Sequence, residues 1–179
     1  MAQRAVPTRE ESRVLTALFH NREGAEKAYR SLRDRGYTDK EINILMSDAT
    51  RDKHYMNGVE TELGNKALEG AGTGGAIGGL LGAVIGGIAA IGTNVLLPGL
   101  GLVVAGPIAA ALLGAGAGGA TGGLVGALIG WGIPEERAKY YEEGIRKGGT
   151  VVGVKPRTPE DADYFENEWR DYQGEHIYR

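Results

Sequence analysis

The chain has 179 residues, a formal net charge of -3 and no cysteine. That length fits one ordinary domain with an appendage, and the near-neutral charge excludes a large basic surface for nucleic acid. The lack of cysteine excludes disulfides and cysteine-based metal sites, and the polar residues 1–13 predict a tail rather than a secretory signal.

Charge divides the chain into two kinds of segment. No Lys, Arg, Asp or Glu lies between Gly70 and Pro134, although 24% of the whole chain is charged. Most of the 31 glycines fall in that same stretch. The sequence therefore predicts a charged unit in two halves around an apolar insert. The predicted segments are a polar N-terminal tail (1–13), a first half (14–48), a polar connector (49–69), the insert (70–132) and a second half (133–179).

The first half has the pattern of a strand, a helix and a second strand. Residues 14–20 are a short apolar run with β-branched and aromatic side chains, which is typical of a strand. Asn21 is a favourable N-cap, apolar residues then recur at helical spacing, and Gly36 has the place of a C-terminal glycine. A capping-box spacing at 38–41 precedes the next predicted strand, residues 42–46.

The second half has the pattern of a helix, a strand and a helix. Pro134 stands where a first-turn proline is tolerated, and the helix after it is predicted to stop at residues 148–149, which are both glycine. Residues 150–154 predict a third strand. Thr158 as N-cap and Pro159 at the first helical position begin the last helix.

These elements predict an α+β fold. The unit would be a small ferredoxin-like α/β domain, β-α-β followed by α-β-α, interrupted by a long apolar glycine-rich helical hairpin. Its amphipathic helices would cover one face of a small sheet. The predicted α/β core consists of apolar residues at inward positions: Leu18, Tyr29, Leu32, Ile44, Tyr141, Ile145, Val152, Phe165 and Trp169.

Both halves carry motifs of a known family. Residues 14–48 contain A-E-x-A, then L-x-x-x-G-Y at a helix end, then I-x-I-L in a strand. Residues 130–156 contain G-I-P before a helix and G-G before a strand. In these motifs the chain resembles the YflT-type general stress proteins, including the 17M-like kind. The resemblance implies a bacterial, stress-associated protein with no established enzymatic activity, and some members contain glycine-zipper segments.

The glycines of the insert keep a four-residue period in two runs. This spacing places them on one face of a helix, where a ridge of glycine lets another backbone approach closely. The sequence therefore predicts two glycine-zipper helices joined as a hairpin. The predicted helix-packing and oligomer-contact residues are Gly70, Gly74, Gly78, Gly82, Gly86, Gly114, Gly118, Gly122, Gly126 and Gly130. The predicted turn contains Asn94, Pro98, Gly99 and Gly101.

Two other interpretations of the insert are rejected. Flexible linkers carry serine and other polar residues, whereas this stretch alternates glycine with Ile, Leu, Val and Ala. The G-x-G-x-x-G matches at Gly70 and Gly114 lack the strand and the acidic residue of a dinucleotide-binding loop. Each interior glycine costs a helix about 1 kcal/mol relative to alanine. The hairpin must therefore be stabilised by tight packing, by lipid or by both.

Two alternatives remain for what buries the hairpin, a lipid bilayer or an assembly of several copies. Its arms, residues 76–97 and 102–131, are long enough to cross a bilayer, and Trp131 at one end suits a membrane interface. Three features oppose this. Glycine lowers the hydrophobicity of the arms, the flanks have no excess of positive charge, and the turn NVLLPGLGLVV is apolar. An apolar turn also suits an assembly in which several hairpins meet.

The sequence predicts a non-enzymatic, stress-associated protein that self-associates through the hairpin and associates with a membrane. Its expected partners are further copies of itself and a lipid bilayer, and its expected place is the cytoplasm, at or in the cytoplasmic membrane. The alternatives are a soluble homo-oligomeric cage or filament and a ligand-sensing α/β domain. His20, His54 and His176 are far apart in sequence, and Asp48 and Asp52 near His54 are more simply part of a solvated loop. No catalytic residue, cofactor or metal site is predicted.

Overall fold

The structure, a computed structural model, describes residues 14–56, 95–97, 101–109 and 119–179. Several predicted positions lie outside these residues. They are the tail, the whole first glycine run from Gly70 to Gly86, Gly114, Gly118 and the turn residues Asn94, Pro98 and Gly99.

The described residues form a mixed α/β protein, as the sequence predicts. The elements in chain order are β1 (Leu15–Phe19), α1 (Arg22–Asp34), β2 (Ile42–Ser47), α2 (Asp48–Arg51) with a π-helical turn (Asp52–Met56), β3 (Val95–Leu97), β4 (Leu102–Ala105), α3 (Gly119–Gly130), α4 (Glu135–Arg146), β5 (Thr150–Val154), α5 (Pro159–Asp171) and β6 (Glu175–Tyr178).

The two N-caps that the sequence predicts, Asn21 and Thr158, are confirmed. The Asn21 side chain accepts a hydrogen bond from the Gly24 amide at 2.6 Å, and α1 begins at the next residue. Thr158 caps α5 in the same manner, with proline at the first helical position. Pro134 differs from the prediction because it is itself the N-cap of α4, one residue before the first turn.

All pairs in the sheet are antiparallel, and the strand order is β3-β4-β2-β5-β1-β6. Strand β5 lies between the first two strands, so Val152 pairs with both Ala17 and Ile44. Three strands were not predicted. Strand β6 extends the sheet beyond β1, and the hairpin β3–β4 extends it beyond β2.

The prediction of a helical arm from residue 102 is wrong at its start. Residues 102–105 are strand β4, in which Val104 pairs with Leu45 of β2. Gly101, an expected residue of the helical turn, instead precedes β4 in the connection from β3, with φ at 60°. An apolar, β-branched segment of four residues gains backbone hydrogen bonds and a buried position by joining an existing sheet edge.

Both faces of the sheet are covered, so the prediction of a one-sided sheet is also wrong. Helices α1 and α5 pack on one face, around a core that includes Phe19 and Trp169. Helices α3 and α4 pack on the other, around a core that includes Leu18 and Tyr141. The second layer is provided in part by the end of the apolar insert. All nine residues expected in the α/β core are buried, each no more than 5% exposed.

A hydrogen-bonded network joins the two halves of the domain across the insert. The Tyr37 hydroxyl donates to Asp161 at 2.6 Å and accepts from the Arg157 amide at 2.7 Å. The Arg157 guanidinium donates to both oxygens of Glu41, at 2.8 and 2.9 Å. The amide and hydroxyl of Thr38 also donate to Glu41, at 2.9 and 2.7 Å. These bonds fix the turn before β2 against the turn before α5.

This network predicts a defined pH dependence of stability. The Thr38 amide above all, then the Thr38 hydroxyl and Arg157, lower the pKa of Glu41 from 4.5 to about 2. A carboxylate with a depressed pKa stabilises the fold above its unfolded pKa, and this contribution is lost as the pH falls from 4.5 towards 2.

We therefore expect Glu41→Gln to lower the melting temperature by a few degrees at pH 7, a modest change because the carboxylate is partly exposed. The difference from the wild type should shrink between pH 4.5 and pH 2. Thermal melts followed by circular dichroism over this range measure it, with the exposed Asp171→Asn as control. An equal difference at every pH would refute the assignment.

Candidate self-association surface

Helix α3 is the part of the glycine-rich insert that the structure describes most fully. The helix contains a kink at Gly123, whose φ of 52° and ψ of -153° are not helical. Glycine alone adopts such a conformation readily. The prediction of an unbroken helix through Gly122 and Gly126 is therefore wrong, because Gly122 precedes the kink and Gly126 and Gly130 follow it.

The inner face of α3 is part of the second core. Leu124 and Leu128 are 2% and 0% exposed, and Ala127 beside them is 8% exposed. At the end of the helix, the Trp131 ring lies so close to Gly153 of β5 that a Cβ at Gly153 would be 2.8 Å from it. These contacts hold α3 firmly on the sheet.

The segment leading from β4 to the same face is also anchored. Asn43 of β2 is 1% exposed, and its side-chain oxygen accepts from the Ile108 amide at 2.7 Å. Ile108 itself is fully buried in the second core. Residues 107–109 are helical and follow β4 directly. Amides in the first turn of a helix have no carbonyl partner within that helix, so the Asn43 side chain supplies the acceptor for Ile108.

The outer face of α3 has different surroundings. A Cβ at Gly126 or Gly130 would meet no atom of the described residues within 4 Å. Ile129 lies to one side of them on this face; it is 43% exposed and is the one large hydrophobic residue found exposed among the described residues. Val125 flanks the same face and is only partly buried. We call Val125, Gly126, Ile129 and Gly130 the outer α3 face.

Helix α4 lies beside α3 and supplies the charged border of this surface. Exposed ion pairs follow its length, with Glu135 to Lys139 at 2.6 Å and Glu143 to Lys147 at 2.6 Å. In each pair the acid is four residues before the base, which is the favourable orientation on a helix. The pairing lowers the pKa of Glu135 and Glu143, principally through the hydrogen bonds from the two lysines.

Each of the three histidines has its own contacts within the described residues. His20 contacts Glu175 at 3.3 Å, and His176 stacks on Tyr140 at a ring distance of 3.4 Å. His54 lies in the turn after α2, where its carbonyl accepts from Arg22 at 2.5 Å. In the part of the chain that the structure covers, no three His, Asp or Glu side chains are grouped as a metal would require.

The large aromatic residues Tyr141, Phe165 and Trp169 belong to the two cores, where the sequence predicts them. Tyr141 is buried, and its hydroxyl bonds to Thr16 at 2.9 Å and to the His176 carbonyl at 2.7 Å. Burial raises the pKa of Tyr141 to about 12. Phe165 and Trp169 stack in the first core, with ring centroids 6.2 Å apart.

Among the helices that the structure describes, none has both the length and the hydropathy of a membrane span. The outer α3 face was not visible from the sequence as a surface, because glycine spacing alone does not tell which side of a helix the domain covers. Comparisons with protein-family models, with curated proteins and with solved structures give no match to this chain.

Proposed function

We propose that the protein is a non-enzymatic, self-associating domain whose copies bury the outer α3 face. One observation carries the proposal: α3 is apolar on every side, yet the described domain covers only its inner face. No charged residue occurs in α3. Helices that are apolar all round are normally buried on both sides, in a core, an assembly or a membrane.

The energetics favour burial of the outer α3 face against another surface. The glycines of α3 lower its intrinsic helical stability by about 1 kcal/mol each relative to alanine. Burying an isoleucine contributes about 1.5–3 kcal/mol, and Ile129 has nearly half of that burial still to gain. A glycine surface adds close backbone contact. Self-association would thus compensate for a helix that is costly to form alone.

The proposed ferredoxin-like core rests on the strand order and helix positions, and the proposed role in stress rests on the family resemblance. The order β2-β5-β1-β6, with α1 and α5 on one face, supports a ferredoxin-like core in which β5 and β6 are the third and fourth strands. The motifs shared with YflT-type proteins support a role in the general stress response of a bacterium. The hairpin β3–β4 and helix α3 are then additions to that core.

Contact with a lipid bilayer is a second candidate, favoured by the absence of charge from Gly70 to Pro134. An extraction experiment distinguishes insertion in a bilayer from self-association without lipid. The cleared lysate of cells broken without detergent is passed over a sizing column. A discrete lipid-free particle in that fraction supports self-association alone, whereas recovery only with detergent supports the bilayer.

The direct test replaces Ile129 with lysine. Because Ile129 is already 43% exposed in the single chain, the substitution should leave folding intact. In an assembly it would bury an unpaired charge, which costs several kcal/mol. We expect the association constant to fall at least 100-fold in sedimentation velocity. Asn167→Lys, on the exposed side of α5, is the matched control and should leave the particle unchanged. An unaltered particle in the Ile129 variant would contradict the proposal.

A further inference from the structure

We infer that four side chains at the start of β6 form a pH-sensitive latch, which holds this edge strand more tightly when its two histidines are protonated. We call these residues the β6 latch: His20, Tyr140, Glu175 and His176. Imidazole is the side chain that ordinarily changes its charge between about pH 5 and pH 8. The latch lies at the edge of the sheet opposite β3 and does not depend on the proposed self-association.

The chain enters β6 with an unusual backbone. Gln173 and His176 have φ angles of 63° and 49°, in the left-handed region that residues other than glycine rarely adopt. The register of β6 against β1 is irregular at the same place. Such a conformation persists only where the surrounding contacts hold it. Two of these contacts carry no charge: the Asn21 side chain donates to that of Gln173 at 3.1 Å, and the Tyr141 hydroxyl donates to the His176 carbonyl at 2.7 Å.

The other contacts at the start of β6 involve ionisable side chains. In a regular strand Glu175 and His176 would point to opposite faces of the sheet, but here both contact Tyr140 of α4. The Tyr140 hydroxyl donates to the Glu175 carboxylate at 3.2 Å, and its ring centroid lies 3.4 Å from that of His176. The His20 Nε2 reaches the same Glu175 oxygen at 3.3 Å. One carboxylate of β6 therefore joins the end of β1 to α4.

Protonation strengthens the contacts of both histidines. A neutral His20 can donate one hydrogen bond to Glu175, whereas the charged imidazolium also forms an ion pair with the carboxylate. A charged His176 over the Tyr140 ring gains the attraction of a cation for an aromatic face. Both effects have the same sign. The latch is therefore tighter on the acidic side of this range and loosens as the pH rises and the imidazoles lose their protons.

The charged groups of α4 beside the latch do not reverse this direction. Lys147 is paired with Glu143 at 2.6 Å, and the Arg137 guanidinium lies 5.8 Å from the Tyr178 ring of β6. Tyr140 keeps its proton throughout, since burial and then its hydrogen bond to the latch carboxylate raise its pKa. Carboxylates are ordinarily ionised above about pH 5.5. Between pH 5.5 and pH 8 the histidines are thus the groups of the latch that change charge.

The charged groups on the neighbouring helices α1 and α5 are paired with other residues. The first turn of α1 carries Arg22 and Glu23, and each forms an ion pair with the residue four positions later in that helix. Next to β6, Arg179 pairs with Asp163 and Glu166 of α5. These pairs join permanently charged groups above pH 5.5. They contribute equally at every pH in the range considered.

The latch controls access to the backbone edge of β1. Strand β1 is buried along its whole length and pairs with β5 on one side and β6 on the other. Ile177 packs against the first core and Tyr178 against the second. A loosened β6 would expose an apolar strand edge, which can accept a strand from another chain. The charge on two histidines thus sets how often this edge is open.

Hydrogen exchange of the full-length protein, followed by mass spectrometry, tests the latch. The peptide 173–179 is measured at pH 5.5, 6.5 and 7.5, and each rate is divided by the intrinsic exchange rate at that pH. Strand β5 (Thr150–Val154) reports any change in global stability. The side chains of His20 and Glu175 are 41% and 51% exposed, so the effect is modest. We expect the protection of β6 to rise about three- to tenfold from pH 7.5 to pH 5.5, with a smaller change in β5.

Two substitutions assign this pH dependence to the latch. His20→Gln keeps a donor for Glu175 without the charge, and His176→Asn keeps a residue that tolerates left-handed backbone. Each should lose part of the pH dependence, and the double variant should lose all of it. The matched control is His54→Gln, which leaves both latch histidines in place and should behave as the wild type.

Three results would overturn the inference. The first is the same corrected protection of 173–179 in the wild type at every pH. The second is an equal change in β5, which would report global stability instead of the latch. The third is a double variant that keeps the full pH dependence. The first two come from the wild type alone, so the test remains decisive even if a variant does not fold.

Discussion

Deleting residues 70–132 should leave a chain that does not fold. The sequence suggests that the two charged halves could form a domain without the insert, but the described contacts lead to the opposite expectation. The deletion removes strand β4 and helix α3 together. Leu45 and Val151, which are fully buried in the second core, would lose part of their cover. Strand β2 would become an unprotected apolar edge, which favours aggregation.

The size of this effect follows from the side chains that are lost. Val104, Ile108 and Leu128 are each fully buried, and burial of one large apolar side chain contributes about 1.5–3 kcal/mol. Together with Leu124, this approaches the total stability of an ordinary domain, about 5–15 kcal/mol. Near-ultraviolet circular dichroism and urea unfolding of the deleted chain measure the outcome. A cooperative transition with native-like signals would show that the two halves fold independently.

Replacing Gly106 by alanine should be the most damaging single substitution in the sheet. Gly106 follows β4 with φ at 93°. A Cβ there would lie 2.9 Å from the Ile42 carbonyl carbon, still closer to its oxygen, and 3.0 Å from the Asn43 Cα. These are backbone atoms of β2, which cannot move aside without breaking the sheet. We expect a loss of about 3–5 kcal/mol, in the range of severe core substitutions.

Gly132 provides a matched control for this experiment. Its φ is also 93°, but a Cβ at Gly132 would meet no described atom within 4 Å. We therefore expect Gly132→Ala to lower the free energy of unfolding by the backbone strain alone, about 1–2 kcal/mol. The difference between the two variants in urea unfolding isolates the collision with β2. Equal losses would mean that β4 and β2 are not held at the separation that the structure gives.

The elements that the sequence predicted correctly are those defined by local hydrogen bonds and apolar spacing. The caps at Asn21 and Thr158 act within a few residues of themselves, so a short window of sequence is enough to find them. The strand at residues 150–154 was found because it is a short apolar run between glycines and a turn. In these places the tertiary structure agrees with the local preference.

The elements that were missed depend on distant partners. Strand β4 is apolar without alternation, and only its pairing with β2 makes it a strand rather than part of a helix. Strand β6 carries Glu175 and His176 at exposed positions, and its register against β1 is irregular. The kink at Gly123 has no local signal, because every glycine in a periodic run has the same freedom. The covered side of α3 likewise follows from packing, not from spacing.

The mass of the native protein tests the central claim most directly. The wild type is purified without detergent and measured by light scattering on a sizing column over a wide range of concentrations. If copies of the chain cover the outer α3 face, the mass will be a multiple of the 18.9 kDa chain and will fall towards one chain on dilution or in the Ile129→Lys variant. A lipid-free particle of 18.9 kDa at every concentration would contradict the account.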